Sequence, residues 1–398
     1  MSDVTELLEA RANLLFENVA GWETRTLERI GRRIKKRGRM TRNELKALNN
    51  MADAKKDAAA ILEDLATVTG QNINQIEGRY TEVLSMQHES NRTLYDFKNK
   101  PFVPLENNES LKAIINAYSR TTAGEMFNLS MTKAQSLGFI DADGKFNPIE
   151  KKINNVLDKA VMSVTTGSAD FNTAMRDVMV QLGTSGIKVH YDSGINRRLD
   201  TVVRQNLLWG AKQASIEYNN ALSDELGCDG FEVDWHWNPR PSHAFLQGRQ
   251  FANGKSVTIG GEFFQGADDN DPQSSSGKTA NQALNDYGCL HFKAPIFLGI
   301  SEPAYSPKQL AEMNAKNAKK LTVDGVLKTG YEWEQQMRII ETEIRKEKEI
   351  VAGLTAQGDL EGAKKHRQRI KALRKKYDNI CAQTGLESQT HRMRQFKI

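Results

Sequence analysis

The chain has 398 residues, with 55 Lys plus Arg against 50 Asp plus Glu, a formal net charge of +5 and 7% aromatic residues. Its mean hydropathy of -0.58 and scarce aromatics leave a modest core and much polar surface, which suits extended helical packing better than one compact globule. Three widely spaced cysteines argue against a disulfide framework and for a reducing compartment. The polar N-terminus has no signal peptide, and no apolar run approaches the ~18 residues that cross a bilayer, so the expected setting is a cytoplasm or an assembled particle.

From the start, Leu7, Leu8, Leu14, Leu15, Phe16, Val19 and Trp22 recur at three- and four-residue steps, as on one face of an amphipathic helix that needs a partner. The run Arg32 to Arg39 then places six basic side chains in eight positions. Its members Arg32, Arg33, Lys35, Lys36 and Arg37 read either as a solvated helix end or as a contact to phosphates or an acidic partner. Helical patterning continues from Thr41 to Phe97 and stops at Pro101 and Pro104. Another helix is predicted over Ser110–Leu137, with Met126 and Met131 as core fillers. GFIDADGK at Gly138–Lys145 looks like a calcium loop but lacks the acidic spacing and terminal Glu, so it reads as a turn.

Helices follow through Ile149–Val161 and Phe171–Leu182, then a short strand at Ile187–Tyr191 and a turn at Asp192-Ser193-Gly194. Leu199, Val203, Leu207, Ala211, Ala214, Tyr218 and Ala221 share the face of a long helix that Gly227 ends. Arg197, Arg198 and Arg204 project from its first turns, toward acids and water or toward a partner.

The stretch DWHWNPRPSHAFLQGRQF at Asp234–Phe251 is the densest in special residues. Alternation through Phe231, Val233, Trp235 and Trp237 predicts a strand with His236 on its polar face. Pro239 and Pro241 pin the backbone around Arg240, and Ser242 is placed to cap one helical turn that holds His243 and runs through Gln247 to Gly248. Asn253-Gly254 predicts a tight hairpin. Gly266–Ala280 is nearly devoid of apolar residues and reads as a mobile surface loop. Phe292–Ile300 reads as a buried strand.

Beyond Pro303 and Pro307 comes a charged helical pair, Tyr331–Gln357 and Glu361–Gln383, turning at Gly358-Asp359. From Lys328 onward sixteen basic residues face ten acidic ones. The surplus gathers at Lys364, Lys365, Arg367, Arg369, Lys371, Arg374, Lys375 and Lys376, a patch suited to DNA or to an acidic protein surface.

His236, His243, Cys289 and His291 offer four nitrogen and sulfur ligands, the number a structural zinc takes. Alternatively they are buried side chains bonded to backbone or to Asp234. A rival chemistry is a nuclease with His243 or His291 as general base and Arg240 or Lys293 stabilising the transition state, with His236 beside them; no nuclease spacing supports it. The basic patches lack the aromatic interleaving and motifs of a dedicated DNA-binding domain.

Several segments taken together resemble a known family: YDSGINRRLD at Tyr191–Asp200, RPSH at Arg240–His243, Gln247-Gly248, YGCLH at Tyr287–His291, GISEP at Gly299–Pro303 and the basic tail after Tyr331. In this order they resemble the phage minor capsid protein 2 family, minor head proteins loosely related to the phage Mu F type. One departure is Leu290, where the family tends to have arginine. The resemblance implies an α+β, mostly helical fold: a helical N-terminal region over 1–125, a small central Mu F-like α+β domain over 126–305 with short strands and a hairpin, and a basic helical tail over 306–398. Trp235, Trp237, Arg240, Ser242, Gln247 and Gly248 would then be the structural motif of that domain. It further implies a non-enzymatic head component of a tailed bacteriophage, present in multiple copies, made in the host cytoplasm and housed in the virion interior near the portal. Expected partners are the portal protein, major capsid or scaffolding protein, and packaged DNA without sequence specificity, in head assembly, packaging or delivery; no membrane is expected.

Overall fold

The computed structural model describes residues 16–32, 60, 63–65, 67, 73–131, 137–141, 143–166, 168–191 and 193–393. The fold is mostly helical α+β, as predicted. Helix α1 covers residues 16–32, and α2 (Ile73–Ser90), α3 (Arg92–Phe97) and α4 (Glu109–Met131) follow. Strands β1 (Leu137–Ile140) and β2 (Phe146–Pro148) lead into α5 (Ile149–Thr165) and α6 (Phe171–Ser185). Strands β3 (Lys188–His190) and β4 (Asn196–Arg198) lead into the long α7 (Leu199–Leu226). Next come β5 (Gly230–Val233), a 3-10 turn (Pro241–Leu246), β6 (Gln250–Ala252), β7 (Val257–Ile259), β8 (Glu262–Gly266), the short α8 (Ala280–Leu284) and β9 (Lys293–Ile296). The chain continues with α9 (Pro307–Ala318), a hairpin of β10 (Leu321–Val323) and β11 (Val326–Lys328), α10 (Gly330–Gln357) and α11 (Leu360–Thr384). These elements pack as two units, neither continuous in sequence. One draws on Ile73–Thr122 and Gln205–Gln335; the other on α1, Ala123–Arg204 and the chain from Gln336.

In the first unit α2, α4 and α7 meet at the buried Tyr80, whose hydroxyl bonds Thr122 Oγ1 at 2.9 Å and donates to Leu207 O at 3.2 Å. Gly210 permits this approach, because a Cβ there would overlap both hydroxyl oxygens. The five-stranded sheet has the order β7-β8-β6-β5-β9. Phe231, Val233 and Phe251 bury one face with Phe245, Leu246 and the small α8 residues Ala280 and Ala283, while Ala252, Phe264, Ile296 and Leu298 form a separate cluster.

Three local expectations are corrected here. The strand ends at Val233 rather than continuing through Trp237. The tight hairpin joins β7 to β8, not β6 to β7: Gly260 and Gly261 supply the two positive φ values, 60° and 90°, of a primed turn. Asn253 instead anchors its chain by bonding Cys228 O and Asp229 O, and β6 pairs with β8 in parallel. The Gly266–Ala280 segment is tied down, since Asp271 is buried against Arg249 at 2.9 Å and Asp269 accepts from Ser256 N, Ser256 Oγ and Lys255 Nζ.

The second unit contains a four-stranded sheet of order β2-β1-β3-β4, with β1 and β3 antiparallel at its centre. Each half is a hairpin that runs without a loop into a helix, β1-β2-α5 and β3-β4-α7. The turns correspond, with Asp141 O accepting from Gly144 N (φ 77°) and Tyr191 O accepting from Gly194 N (φ 79°). So the apparent calcium loop is one of two equivalent turns, and the sheet is a two-fold arrangement of one motif. Helices α10 and α11 run antiparallel about Gly358, as Thr355–Arg367, Glu347–His366 and Glu341–Tyr377 bonds require.

Candidate functional site

The site residues are carried by the corner between β5 and β6 and by the segment before β9. Asp234 N donates to Phe292 O at 3.0 Å and Asp234 Oδ1 accepts from Phe292 N at 2.8 Å, which joins the two strands of the corner. Trp235 is buried and its indole N–H donates to Asn314 Oδ1 on α9 at 2.8 Å. Trp237 is 57% exposed and meets the Trp235 ring edge-on. The following turn starts at Pro241, with Arg240 at the N-cap position making no side-chain cap bond; Ser242 makes no cap because it lies inside the turn, one residue after its proline start. Arg240 is exposed. Gly248, at φ 63°, packs under Tyr305 and Leu310.

Gln247 organises the histidines. Its Nε2 donates to His236 O at 2.6 Å, so its Oε1 is the acceptor, taking His236 N–H at 3.0 Å and His291 Nε2 at 3.1 Å. His291 must therefore carry its proton on Nε2, which leaves Nδ1 with a lone pair. His243 follows the same pattern, with Nε2 at 3.0 Å from Asp286 Oδ2. Cys289 Sγ lies 3.7 Å from His291 Nδ1. Ligand atoms of His243, Cys289 and His291 all fall within 4.8 Å of one another, and all three residues are buried. His236 is outside this group; its ring lies against that of His291, centroids 4.3 Å apart, and its Nδ1 faces Trp237 O. Helix α7 supports the cluster from below through Lys212, 2% exposed, whose Nζ donates to Cys289 O at 3.2 Å.

The electrostatics follow from burial. Desolvation pushes His291 well below the usual imidazole range, helped by His236, Lys212 and His243. His243 is also lowered by burial, against the pull of Asp286. Burial would raise Asp286, yet Lys278 and His243 hold it below the ordinary carboxylate range. Lys212 is lowered by burial. Burial thus disfavours the protonated form of both imidazoles. Lys212, Lys278 and Asp286 carried no sequence signal, because two sit in ordinary helical or loop patterns and Asp286 precedes a glycine turn like any surface acid.

A second charged centre lies in the other unit. Arg198, 5% exposed, reaches Glu23 at 2.8 Å, Glu349 at 2.5 Å and Asp200 at 3.3 Å, and Arg345 reaches Asp200 at 3.0 Å. Of the two readings for this arginine, pairing with acids holds.

The predicted contact residues divide. Arg32 is exposed and 3.5 Å from Glu28; Arg33, Lys35, Lys36 and Arg37 lie outside the described residues. Lys364, Lys365, Arg367, Arg369, Lys371, Arg374, Lys375 and Lys376 are all exposed on α11. No acidic residue interrupts residues 364–376, and among the described residues Glu347 lies 3.6 Å from Arg369.

The profile of the family described as phage minor capsid protein 2 matches residues 12–380. The chain belongs to this family. No curated protein and no solved structure matches it. As a phage minor capsid protein it is a structural component of the bacteriophage virion, and it works among other head components. No helix among the described residues is long and apolar enough to cross a membrane.

Proposed function

We propose that this minor capsid protein sits inside the head at the portal, in low copy number, where it supports assembly and the packaging or delivery of DNA. The observation that carries this reading is the acid-free run 364–376 of α11, which exposes eight cations on one helix. Such a run binds phosphates through counterion release without reading sequence, and it serves an interior position better than an outer shell. The corner at Trp237, with an exposed indole on a backbone fixed by Asn238 bonds to Asn317 and Glu334, is a rigid docking surface for a head partner. Nothing in this role requires turnover.

Cross-linking mass spectrometry of gradient-purified heads tests it, with this chain counted against portal and major capsid subunits. The expected result is a stable number comparable with the portal and cross-links from α11 or the Trp237 corner to portal subunits. Absence from full heads, or cross-links confined to the outer shell, would overturn the reading.

A further inference from the structure

We propose that His243, Cys289 and His291 form a zinc site with three protein ligands and water in the fourth position. The first argument is distance. Zinc–sulfur and zinc–nitrogen bonds in tetrahedral geometry place a thiolate and an imidazole nitrogen ~3.6 Å apart, and Cys289 Sγ lies 3.7 Å from His291 Nδ1. The ligand atom of His243 completes a group within 4.8 Å, a set that small side-chain movements close around one ion.

The second argument is the tautomers. Metal-binding histidines donate the remote ring N–H to a carboxylate or carbonyl, which fixes the ring and leaves the other nitrogen to the metal. Both rings do this here: His291 Nε2 donates to Gln247 Oε1, itself oriented by its bond to His236 O, and His243 Nε2 donates to Asp286 Oδ2. Two independent outer partners thus leave Nδ1 of each ring for the metal. A thiol donating to His291 Nδ1 accounts for one of these bonds and for neither of the outer partners' agreement.

One sulfur and two imidazole nitrogens select a borderline-soft ion over magnesium or calcium, which take oxygen. A cleft lined by Lys212, Asn281, Asn285 and His291 adjoins the cluster on the His291 side. On binding, the Cys289 thiol proton leaves to solvent and a sulfur–metal bond replaces it. The ion then clamps the turn that carries His243 to the segment before β9.

The test is made on the full chain, purified without chelator or immobilised metal. Zinc content is measured, and the zinc-free protein is titrated with cobalt(II), whose thiolate charge-transfer band reports a sulfur ligand. The expected result is one metal per chain and a cobalt band that Cys289→Ser removes and Cys228→Ser leaves. Asp286→Asn should weaken binding about 10–100-fold with the band retained. Folding of each variant is followed by its helical circular dichroism. A folded wild-type chain that takes up neither zinc nor cobalt overturns the site without reference to any variant, and so does a band that survives Cys289→Ser.

Discussion

Gly210 shows how much one hydrogen atom in place of a methyl can decide. It sits in the middle of α7, where glycine costs roughly 1 kcal/mol relative to alanine in an isolated helix, yet a Cβ would displace Tyr80 and Thr122 from the bond that joins three helices. Gly210→Ala should therefore destabilise, by about 1–3 kcal/mol as overpacking does, visible as a lower urea midpoint with the slope unchanged. A gain in stability would mean that the helices separate freely. At this scale the sequence was legible where residue chemistry is unusual. His243, Cys289 and His291 were identifiable by type, and Gly227 by its position after an apolar run. Gln247, Lys212 and Asp286 acquire their roles only through partners 44, 77 and 43 residues away, which no local pattern encodes.

Among elements, the junction of α10 and α11 concentrates two interactions on one side chain. Asp359 caps α11 through Gly362 N at 2.9 Å and also pairs with Arg176 of α6 through Nε at 2.5 Å and Nη2 at 3.0 Å. Hydrogen bonding to Arg176 holds its carboxyl below the ordinary range against burial. Asp359→Asn keeps a capping oxygen and loses the charge, whereas Asp359→Ala loses both. The alanine variant should cost about 1 kcal/mol for the cap and more for the half-buried pair, and asparagine should recover about the cap's share, as read by thermal melting. Equal losses would remove the cap as a contributor. The helices themselves were legible, since their periodicity and terminators are local. The misplaced hairpin shows the limit: Asn-Gly and Gly-Gly both permit a primed turn, and cross-strand pairing chose the second. The β10-β11 hairpin turns at Asp324-Gly325, with φ of 48° and 81°, a short local signal set among charged helices.

Across the whole molecule, the buried cluster around Arg198 couples stability to pH. Burial raises the carboxyls of Glu23 and Glu349 above the ordinary glutamate range. The folded chain then holds protons that the unfolded chain has released, so stability falls as pH rises from that range toward the raised values. Asp200 contributes with the opposite sign: although burial would raise it, Arg198 and Arg345 hold it far below the ordinary aspartate range, so its contribution is lost as pH falls below that range. Lys188, lowered by burial and by Arg198, adds stability only toward alkaline pH. Glu23→Gln, which keeps an oxygen for Arg198, should flatten the fall in melting temperature between the glutamate range and neutrality. A profile identical to the wild type would show that Glu23 is not its source. None of this was legible in the sequence, because the three acids and two arginines come from positions 23, 198, 200, 345 and 349, and only folding makes them neighbours.

That spacing also sets a schedule for the chain's synthesis. Residues 16–32 emerge from the ribosome more than three hundred positions ahead of Glu349, and they wait, with their apolar face and Glu23 unsatisfied, until α10 arrives. Contacts of such separation close late and slowly. The unit they belong to is finished only once α10 has been made, so a chain that stops short of α10 cannot offer a completed second unit to a growing head.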